Sequence, residues 1–192
     1  MLTGRQRGVT LIELLIGVTI ISCLLLVGMP SFTGWIRDLQ VRGAAESIQS
    51  GLLLARSEAI RRNRPVQLTL ADAGGLVEWR IGCVPADAAC PALIAERKRG
   101  EGGLNTRMAA SAVAAAAAVA NVAVVATDAG AGAALAAGAG LPVSIAFNGL
   151  GRLAGPAPDR IEVSHATPGA RRLVVRIDAG LARVCRPPQD CA

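Results

Sequence analysis

Residues 9–29 read VTLIELLIGVTIISCLLLVGM, an apolar stretch of 21 residues in which Glu13 is the only charge. As an α-helix this stretch spans about 31 Å, which matches the hydrocarbon thickness of a bilayer. The preceding residues, MLTGRQRG, carry Arg5 and Arg7, and positive charge keeps that end of a membrane segment in the cytoplasm. The sequence therefore predicts a transmembrane helix at 9–29, with the remainder of the chain outside the cytoplasm.

The position of the small residue separates this stretch from an ordinary secretory signal. In a signal peptide, 7 to 15 apolar residues are followed by a small-residue cleavage site. Here the apolar run is longer, and the small residue, Gly8, precedes it. Cleavage after Gly8 removes the basic leader (residues 1–8) and leaves the apolar segment on the mature protein.

The stretch Gly8-Val9-Thr10-Leu11-Ile12-Glu13-Leu14 resembles the cleavage motif of type IV prepilins, usually written G-F-T-L-I-E-L, with Val9 in place of Phe. The resemblance implies cleavage between Gly8 and Val9 by prepilin peptidase, N-methylation of Val9 and assembly into a pilus-like fibre. A carboxylate at membrane depth is normally paired. In the family, the acid at the position of Glu13 neutralises the amino terminus of a neighbouring subunit.

The residues beyond the apolar stretch predict a continuation of the same helix. Pro30 removes one backbone hydrogen bond, so a kink is expected there. Residues 30–63 form the amphipathic part, and Pro65 disfavours helical dihedrals just before it, so the helix should run from about Leu11 to Arg62 and stop near Asn63. The apolar stripe recurs at steps of four and three. Its members are Val41, Ala45, Ile48, Leu52, Ala55 and Ala59.

Residues 64–192 are predicted to form a β-rich periplasmic head. The expected fold class is α+β, a long N-terminal helix packed on an antiparallel sheet, with a second small sheet or an extension of the first towards the carboxyl terminus. Asn148-Gly149 predicts a turn. The predicted strands lie within 65–70, 76–83, 92–99, 141–153, 159–166, 171–178 and 180–185. The strand that contains Trp79 is similar to an early strand of the FimT and H-type pseudopilin branch.

Residues 108–140 are rich in Ala, Gly and Val and low in complexity. Glycines in the second half of this segment argue against a continuous helix. A second transmembrane helix is the alternative on hydropathy, but Asn121, Asp128 and the small side chains disfavour it. We therefore expect a surface insertion or a poorly ordered loop between strands.

The five cysteines divide into Cys23, within the apolar stretch, and four in the head. An extracytoplasmic head lies in an oxidising compartment, and four cysteines permit three connectivities. We favour two local disulfides because each closes a short loop that contains proline: Cys83 with Cys90, and Cys185 with Cys191. Zinc is the alternative, but the cysteine spacings do not suit it and the chain has a single histidine.

No catalytic constellation is indicated by the sequence. His165 lies beside Ser164, but no acid can be assigned to complete a triad. The glycines do not form a P-loop, since they lie in alanine-rich sequence. We therefore predict no enzyme activity, no cofactor and no metal site.

The chain is basic, with a formal net charge of +6, and its last 22 residues hold five Arg against two Asp. FimT-like pilins are associated with DNA capture through a carboxyl-terminal G-R-x-R pattern, of which Gly180-Leu181-Ala182-Arg183 keeps the second arginine. The hypothesis is weak, sequence-independent binding of duplex DNA phosphates. The arginines proposed for it are Arg171, Arg172, Arg176, Arg183 and Arg186. The alternative is a solvated basic face with salt bridges to neighbouring subunits.

The leading function is therefore that of a minor pilin, a single-pass inner-membrane protein with a periplasmic head that joins or primes a type IV pilus. Its implied partners are other pilins and prepilin peptidase. A minor pseudopilin of a type II secretion system shares every amino-terminal feature and is the first alternative. A DNA receptor for natural transformation is the second, and it is compatible with membership of a pilus.

Overall fold

The computed structural model describes residues 8–71, 74–99, 101, 104–111, 134–167 and 169–187. In this part of the chain a 52-residue helix, α1 (Leu11–Arg62), is followed by eight strands. The bounds of α1 are those predicted from the sequence. The chain divides into two compact units, one ending at Ile36 and the other beginning at Arg37, so each contains half of α1.

The amino-terminal unit presents its apolar side chains to the surroundings. Twelve large apolar residues between positions 9 and 26 are 52% to 83% exposed. They are Val9, Leu11, Ile12, Leu14, Leu15, Ile16, Val18, Ile20, Ile21, Leu24, Leu25 and Leu26. Among the described residues, no helix combines the length and hydropathy of a candidate membrane span, in contrast to the span predicted for residues 9–29.

The second unit is the head, in which two four-stranded antiparallel sheets accompany the second half of α1. The first sheet has the order β3-β2-β1-β5, and the second has the order β4-β6-β7-β8. The strands are β1 (Val66–Leu70), β2 (Trp79–Cys83), β3 (Ala95–Arg97), β4 (Thr106–Ala110), β5 (Val143–Phe147), β6 (Arg160–His165), β7 (Leu173–Asp178) and β8 (Leu181–Cys185). The α+β class is confirmed, and the carboxyl-terminal strands form a separate sheet.

Strand β4 differs from the sequence prediction. The sequence predicts an insertion from residue 108 onwards, but Met108, Ala109 and Ala110 belong to β4 and are at most 2% exposed. Alanine favours helix in isolation, and burial against neighbouring strands overrides that preference here. The middle of the segment, 112–133, lies outside the described residues, so its predicted character stays a prediction.

Helix α1 ends in the head at a left-handed residue. Asn63 has φ +50°, and the backbone N–H of Arg64 donates to the carbonyl of Ala59 at 3.2 Å. The N–H of Asn63 donates to the carbonyl of Ile60 at 3.2 Å. These two bonds form a Schellman motif, which satisfies carbonyls that the last turn leaves open. Pro65 then leads directly into β1.

The core of the head lies between the apolar stripe of α1 and the inner faces of both sheets. The predicted stripe residues are all buried, at 2% exposure or less, and Ala44 joins them. Gly51 permits the close approach of helix and sheet, because a Cβ there would lie 2.9 Å from Leu68 Cδ1 and 3.2 Å from the Trp79 ring. Trp79 and Phe147 supply the aromatic bulk of this core.

Candidate functional site

The residues of the predicted cleavage site precede the first turn of α1. Gly8 and Val9 are non-helical and exposed, and Val9 is 72% exposed. Thr10 caps the helix: its hydroxyl accepts a hydrogen bond from the Glu13 N–H at 3.3 Å, and its carbonyl accepts one from the Leu14 N–H at 3.2 Å. The peptide bond between Gly8 and Val9 therefore lies in a non-helical, exposed stretch just before the cap.

Glu13 occupies the third position of the helix, where a negative charge interacts favourably with the helix dipole. In a complete capping box, the acid at this position bonds back to the N–H of the capping residue. Within the described residues the Glu13 carboxylate is exposed and makes neither a hydrogen bond nor an ion pair. The geometry leaves this carboxylate open to a group from another molecule.

The disulfide predicted between Cys83 and Cys90 is present, with the two Cα atoms 5.6 Å apart. Asp87 organises the loop it closes: its Oδ1 accepts hydrogen bonds from the N–H groups of Ala89 at 2.9 Å and of Cys90 at 2.8 Å. In this disulfide the two sulfur atoms are bonded to each other and are not free thiolates. The predicted partner of Cys185 is Cys191, which lies outside the described residues, so that pairing stays a prediction.

The same loop is attached to the end of α1. Arg64 Nη1 lies 3.1 Å from Asp87 Oδ2, and Arg62 Nη1 donates to the Ala89 carbonyl at 2.9 Å. The other contact of Arg62 is with Glu58, where Nε lies 2.7 Å from Oε2. The carboxyl-terminal end of α1 is thus held both by the core and by a cross-linked loop.

Two of the five arginines proposed for DNA binding are engaged with acids of the head. Arg171 Nε lies 3.2 Å from Asp38 Oδ2, and the Arg171 backbone N–H donates to Asp38 Oδ1 at 3.1 Å. Arg172 Nη1 lies 3.6 Å from Oε2 of Glu162, a carboxylate that is only 7% exposed. These contacts give Arg171 and Arg172 a structural role within the head.

Two others, Arg176 and Arg183, lie directly opposite each other on β7 and β8. Arg176 also lies opposite Arg160 on β6, so three arginines stand in line across three strands. The alternate residues Val175 and Ile177 are buried in the core, which places this arginine row (Arg160, Arg176 and Arg183) on the outer face of the second sheet. Like charges directly opposite each other destabilise a sheet unless counter-charges lie nearby.

One buried acid lies beside the row. Glu162, on the same face, has Oε1 4.0 Å from Arg160 Nε, and its Oε2 accepts a hydrogen bond from the Leu135 N–H at 2.9 Å. This one buried acid is shared with Arg172. The fifth proposed arginine, Arg186, is exposed just beyond the end of β8.

Arg160 is a candidate that the sequence did not indicate, because only the pairing of β6 with β7 places it beside Arg176. The turn between β7 and β8 fixes the other pair. Its two central residues, Ala179 and Gly180, have φ of +48° and +84°, which is the pattern of a type I′ hairpin turn.

His165, which the sequence offers as a catalytic candidate, accepts a hydrogen bond from the Thr167 N–H at 3.0 Å and contacts Gln40 at 3.3 Å.

Comparison with known protein families gives two matches along the chain. Residues 3–29 match the prokaryotic N-terminal methylation motif, and residues 44–180 match the family described as type II transport protein GspH. The second match covers most of the chain. Among curated proteins, no significant match was found.

Solved structures of similar fold include the type IV minor pilin FimU of Pseudomonas aeruginosa in two crystal forms, at 20% identity with TM-scores of 0.44 and 0.41. Those alignments cover 79% of this chain and 95% and 99% of FimU. The minor pseudopilin EpsH of Vibrio cholerae aligns at 14% identity with a TM-score of 0.45, covering 79% of this chain and 99% of EpsH. On the family match, the chain belongs to the GspH family, a branch of the type IV pilin-like proteins.

Proposed function

We propose that this chain is a minor pilin of a type IV pilus, held in the inner membrane as a precursor and then assembled into the fibre. The observation that carries the proposal is the amino-terminal unit: an exposed cleavage motif, an open carboxylate at Glu13 and twelve exposed apolar side chains. Apolar surface of this extent is unfavourable in water and marks a protein or membrane contact. Lipid covers it before assembly, and neighbouring helices cover it afterwards.

Cleavage after Gly8 creates the charged partner that Glu13 lacks. The new amino group at Val9 is positive, and on an adjacent subunit it can approach the Glu13 carboxylate as the helices pack. Attraction between the two charges is much stronger among apolar side chains than in water. The ion pair would therefore form during assembly and set the axial position of one subunit against the next.

A substitution at Glu13 tests this proposal directly. Glu13→Gln removes the charge and keeps the shape, so processing and methylation at Val9 should persist. Incorporation into fibres should fall about tenfold, which corresponds to a loss of about 1.4 kcal/mol in the free energy of assembly. The control is Glu46→Gln, which removes an exposed acid from the second half of α1. Mass spectrometry reports the amino terminus, and immunoblots of sheared fibres report assembly. Normal incorporation of Glu13→Gln, or a mature protein that starts at Met1, would overturn the proposal.

The alternative is a minor pseudopilin of a type II secretion system, which uses the same amino-terminal chemistry. The net charge of +6 and the arginine row favour the pilus, because a positive surface suits an anionic polymer outside the cell. A deletion strain scored for piliation, for protein secretion and for DNA uptake separates the two. Loss of secretion with normal piliation would assign the chain to secretion.

The arginine row also favours a second function, the binding of duplex DNA. Three guanidinium groups in line across β6, β7 and β8, with Arg186 nearby, can contact successive backbone phosphates without reading sequence. Arg171 and Arg172 contribute less to this surface because Asp38 and Glu162 hold them. The expected binding is weak and falls steeply with salt.

Matched double substitutions test DNA binding. Arg176→Ala with Arg183→Ala removes two charges from the row, while Arg42→Ala with Arg80→Ala removes two exposed charges elsewhere. For the detergent-solubilised chain, the first pair should lower the salt dependence of log K by about 1.8, or 0.9 for each lost phosphate contact. The second pair should leave it unchanged. If the two pairs had equal effects, DNA binding would depend on the net charge of the chain and not on the arginine row.

A further inference from the structure

The four aromatic residues of the chain fall into two pairs with opposite surroundings. Trp79 and Phe147 are in the core of the head, 9% and 1% exposed. Phe32 and Trp35 are 59% and 57% exposed, and their rings contact each other with centroids 5.7 Å apart and planes at 36°. In a chain with so few aromatics, two large rings left together on the surface indicate a contact with another phase or molecule.

The polar atoms of the two tryptophans differ in the same way. The indole N–H of Trp79 donates to the Ser47 hydroxyl at 3.4 Å. Within the described residues the indole N–H of Trp35 has no partner. A tryptophan placed so that its ring is apolar on one side and its N–H meets polar groups is the arrangement found at membrane interfaces.

The position of the pair along α1 fits such an interface. The 23 residues from Leu14 to Ile36 carry no charge, and the next two residues are Arg37 and Asp38. Trp35 comes 22 residues after Glu13, which corresponds to roughly 33 Å along a helix axis and compares with about 30 Å of bilayer hydrocarbon. The aromatic pair therefore lies where an inserted segment would leave the hydrocarbon.

We propose that Phe32 and Trp35 are an interfacial lipid anchor, seated among the acyl carbonyls and headgroups of the periplasmic leaflet, with the Trp35 N–H donating to a lipid carbonyl or its water. The anchor sets the depth of α1 in the membrane before assembly, and in this respect it rests on the proposed function. The occupant is lipid because a dry contact with apolar helices would bury the Trp35 N–H without a hydrogen-bond partner, which is unfavourable.

The test measures the depth of Trp35 in vesicles of phosphatidylcholine and phosphatidylglycerol that contain the full chain. Trp79→Phe leaves Trp35 as the only tryptophan, and lipids brominated at shallow, middle and deep acyl positions quench its fluorescence according to depth. We expect the strongest quenching from the shallow bromines. Where Trp79→Phe disturbs the head, the difference in quenching between the unaltered chain and Trp35→Phe gives the same measurement. The control is Trp35→Phe alone, whose remaining Trp79 should be quenched little by any bromine.

The outcomes separate this inference from the proposed function. Flotation of the chain with vesicles, together with the strongest quenching from the deep bromines or with none, overturns the anchor and leaves membrane anchoring intact. Absence from the floated vesicles overturns both. Strong quenching by the shallow bromines that is lost when Trp35 is replaced by Phe supports the anchor. Lipid then accounts for the exposure of Phe32 and Trp35 without a neighbouring subunit.

Discussion

The two halves of α1 are built from similar apolar residues and meet different surroundings. Between positions 9 and 26 the apolar residues point in all directions and are mostly exposed, whereas from Val41 to Ala59 they form a stripe that is buried by both sheets. A helix that is apolar all round is buried on every side, and a striped helix is buried on one. The contrast shows that the hydrophobic pattern predicts what fraction of the helix surface is buried. It does not predict what buries that surface, which can be another part of the chain or another molecule.

The sharpest way to break this comparison is to truncate one leucine in each half. Leu52 is 2% exposed and Leu25 is 57% exposed. Leu52→Ala should lower the free energy of unfolding of the head by about 2 to 5 kcal/mol, because it leaves a cavity in the core. Leu25→Ala should change it by less than about 0.5 kcal/mol, as exposed substitutions do. Denaturant unfolding of the detergent-solubilised chain, followed by the fluorescence of buried Trp79, measures both.

For incorporation into fibres, the direct effect of Leu25→Ala should exceed that of Leu52→Ala. Leu25→Ala removes surface that neighbouring helices would cover, so its incorporation into fibres should fall. If Leu25→Ala destabilised the head, the first half of α1 would be packed against the rest of the chain, and the two halves of the helix would not differ in this respect.

The cysteines extend the comparison with a slightly smaller effect. Cys83→Ser with Cys90→Ser should cost the head about 2.5 kcal/mol, the loop-closure estimate for a short cross-linked loop. Cys23→Ser, which alters a free and exposed thiol in the first half, should leave head stability unchanged. Thermal unfolding without reductant compares the two variants. Equal melting temperatures for the double variant and the unaltered chain would show that Asp87 and the helix arginines hold the loop without its disulfide.

Local signals in the sequence were sufficient to predict most of this fold. Periodicity and Pro65 located α1, and alternation together with β-branched content located seven of the eight strands. Strand β4 was missed because Met108 to Ala110 resemble the alanine-rich sequence that follows them. Their strand character comes from pairing with β6, more than 50 residues further along the chain. No local pattern contains that information.

The candidate sites divide in the same manner. Gly8, Val9 and Glu13 form a contiguous motif, so they could be identified without a structure. The arginine row could not, since Arg160 meets Arg176 only through the register of β6 with β7. The engagement of Arg171 by Asp38 likewise joins residues 133 positions apart.

The caps at the two ends of α1 offer a test at the level of about 1 kcal/mol. Asn63→Ala replaces a residue that tolerates the left-handed backbone at φ +50° with one that disfavours it, so the head should lose about 1 kcal/mol. Thr10→Ala removes a cap of similar value from the other end, yet it should not alter unfolding of the head. Melting temperatures of the two variants make the comparison. A matching loss for Thr10→Ala would show that the helix unfolds as one cooperative unit.

The smallest expected effect concerns pH and Glu58. Hydrogen bonds from Arg61 and Arg62 lower the pKa of Glu58, the Arg61 bond being the larger cause. A carboxyl whose pKa is lower in the folded state adds stability above its unfolded value of about 4.3 and loses it as the pH falls through the folded value. Glu58→Gln should therefore lower the melting temperature slightly at pH 7 and leave it unchanged near pH 2.

Glu13→Gln is the matched control for that measurement, since the Glu13 carboxylate has no partner among the described residues. It should leave the melting temperature of the head unchanged at both pH values, although it should lower incorporation into fibres. A deficit for Glu58→Gln that persists at low pH would assign its effect to packing, because the charge is then absent from both proteins. In that case the ion pairs of Glu58 would contribute nothing measurable to the stability of the head. The only carboxylate of this comparison with an electrostatic role would then be Glu13, through the proposed ion pair between subunits.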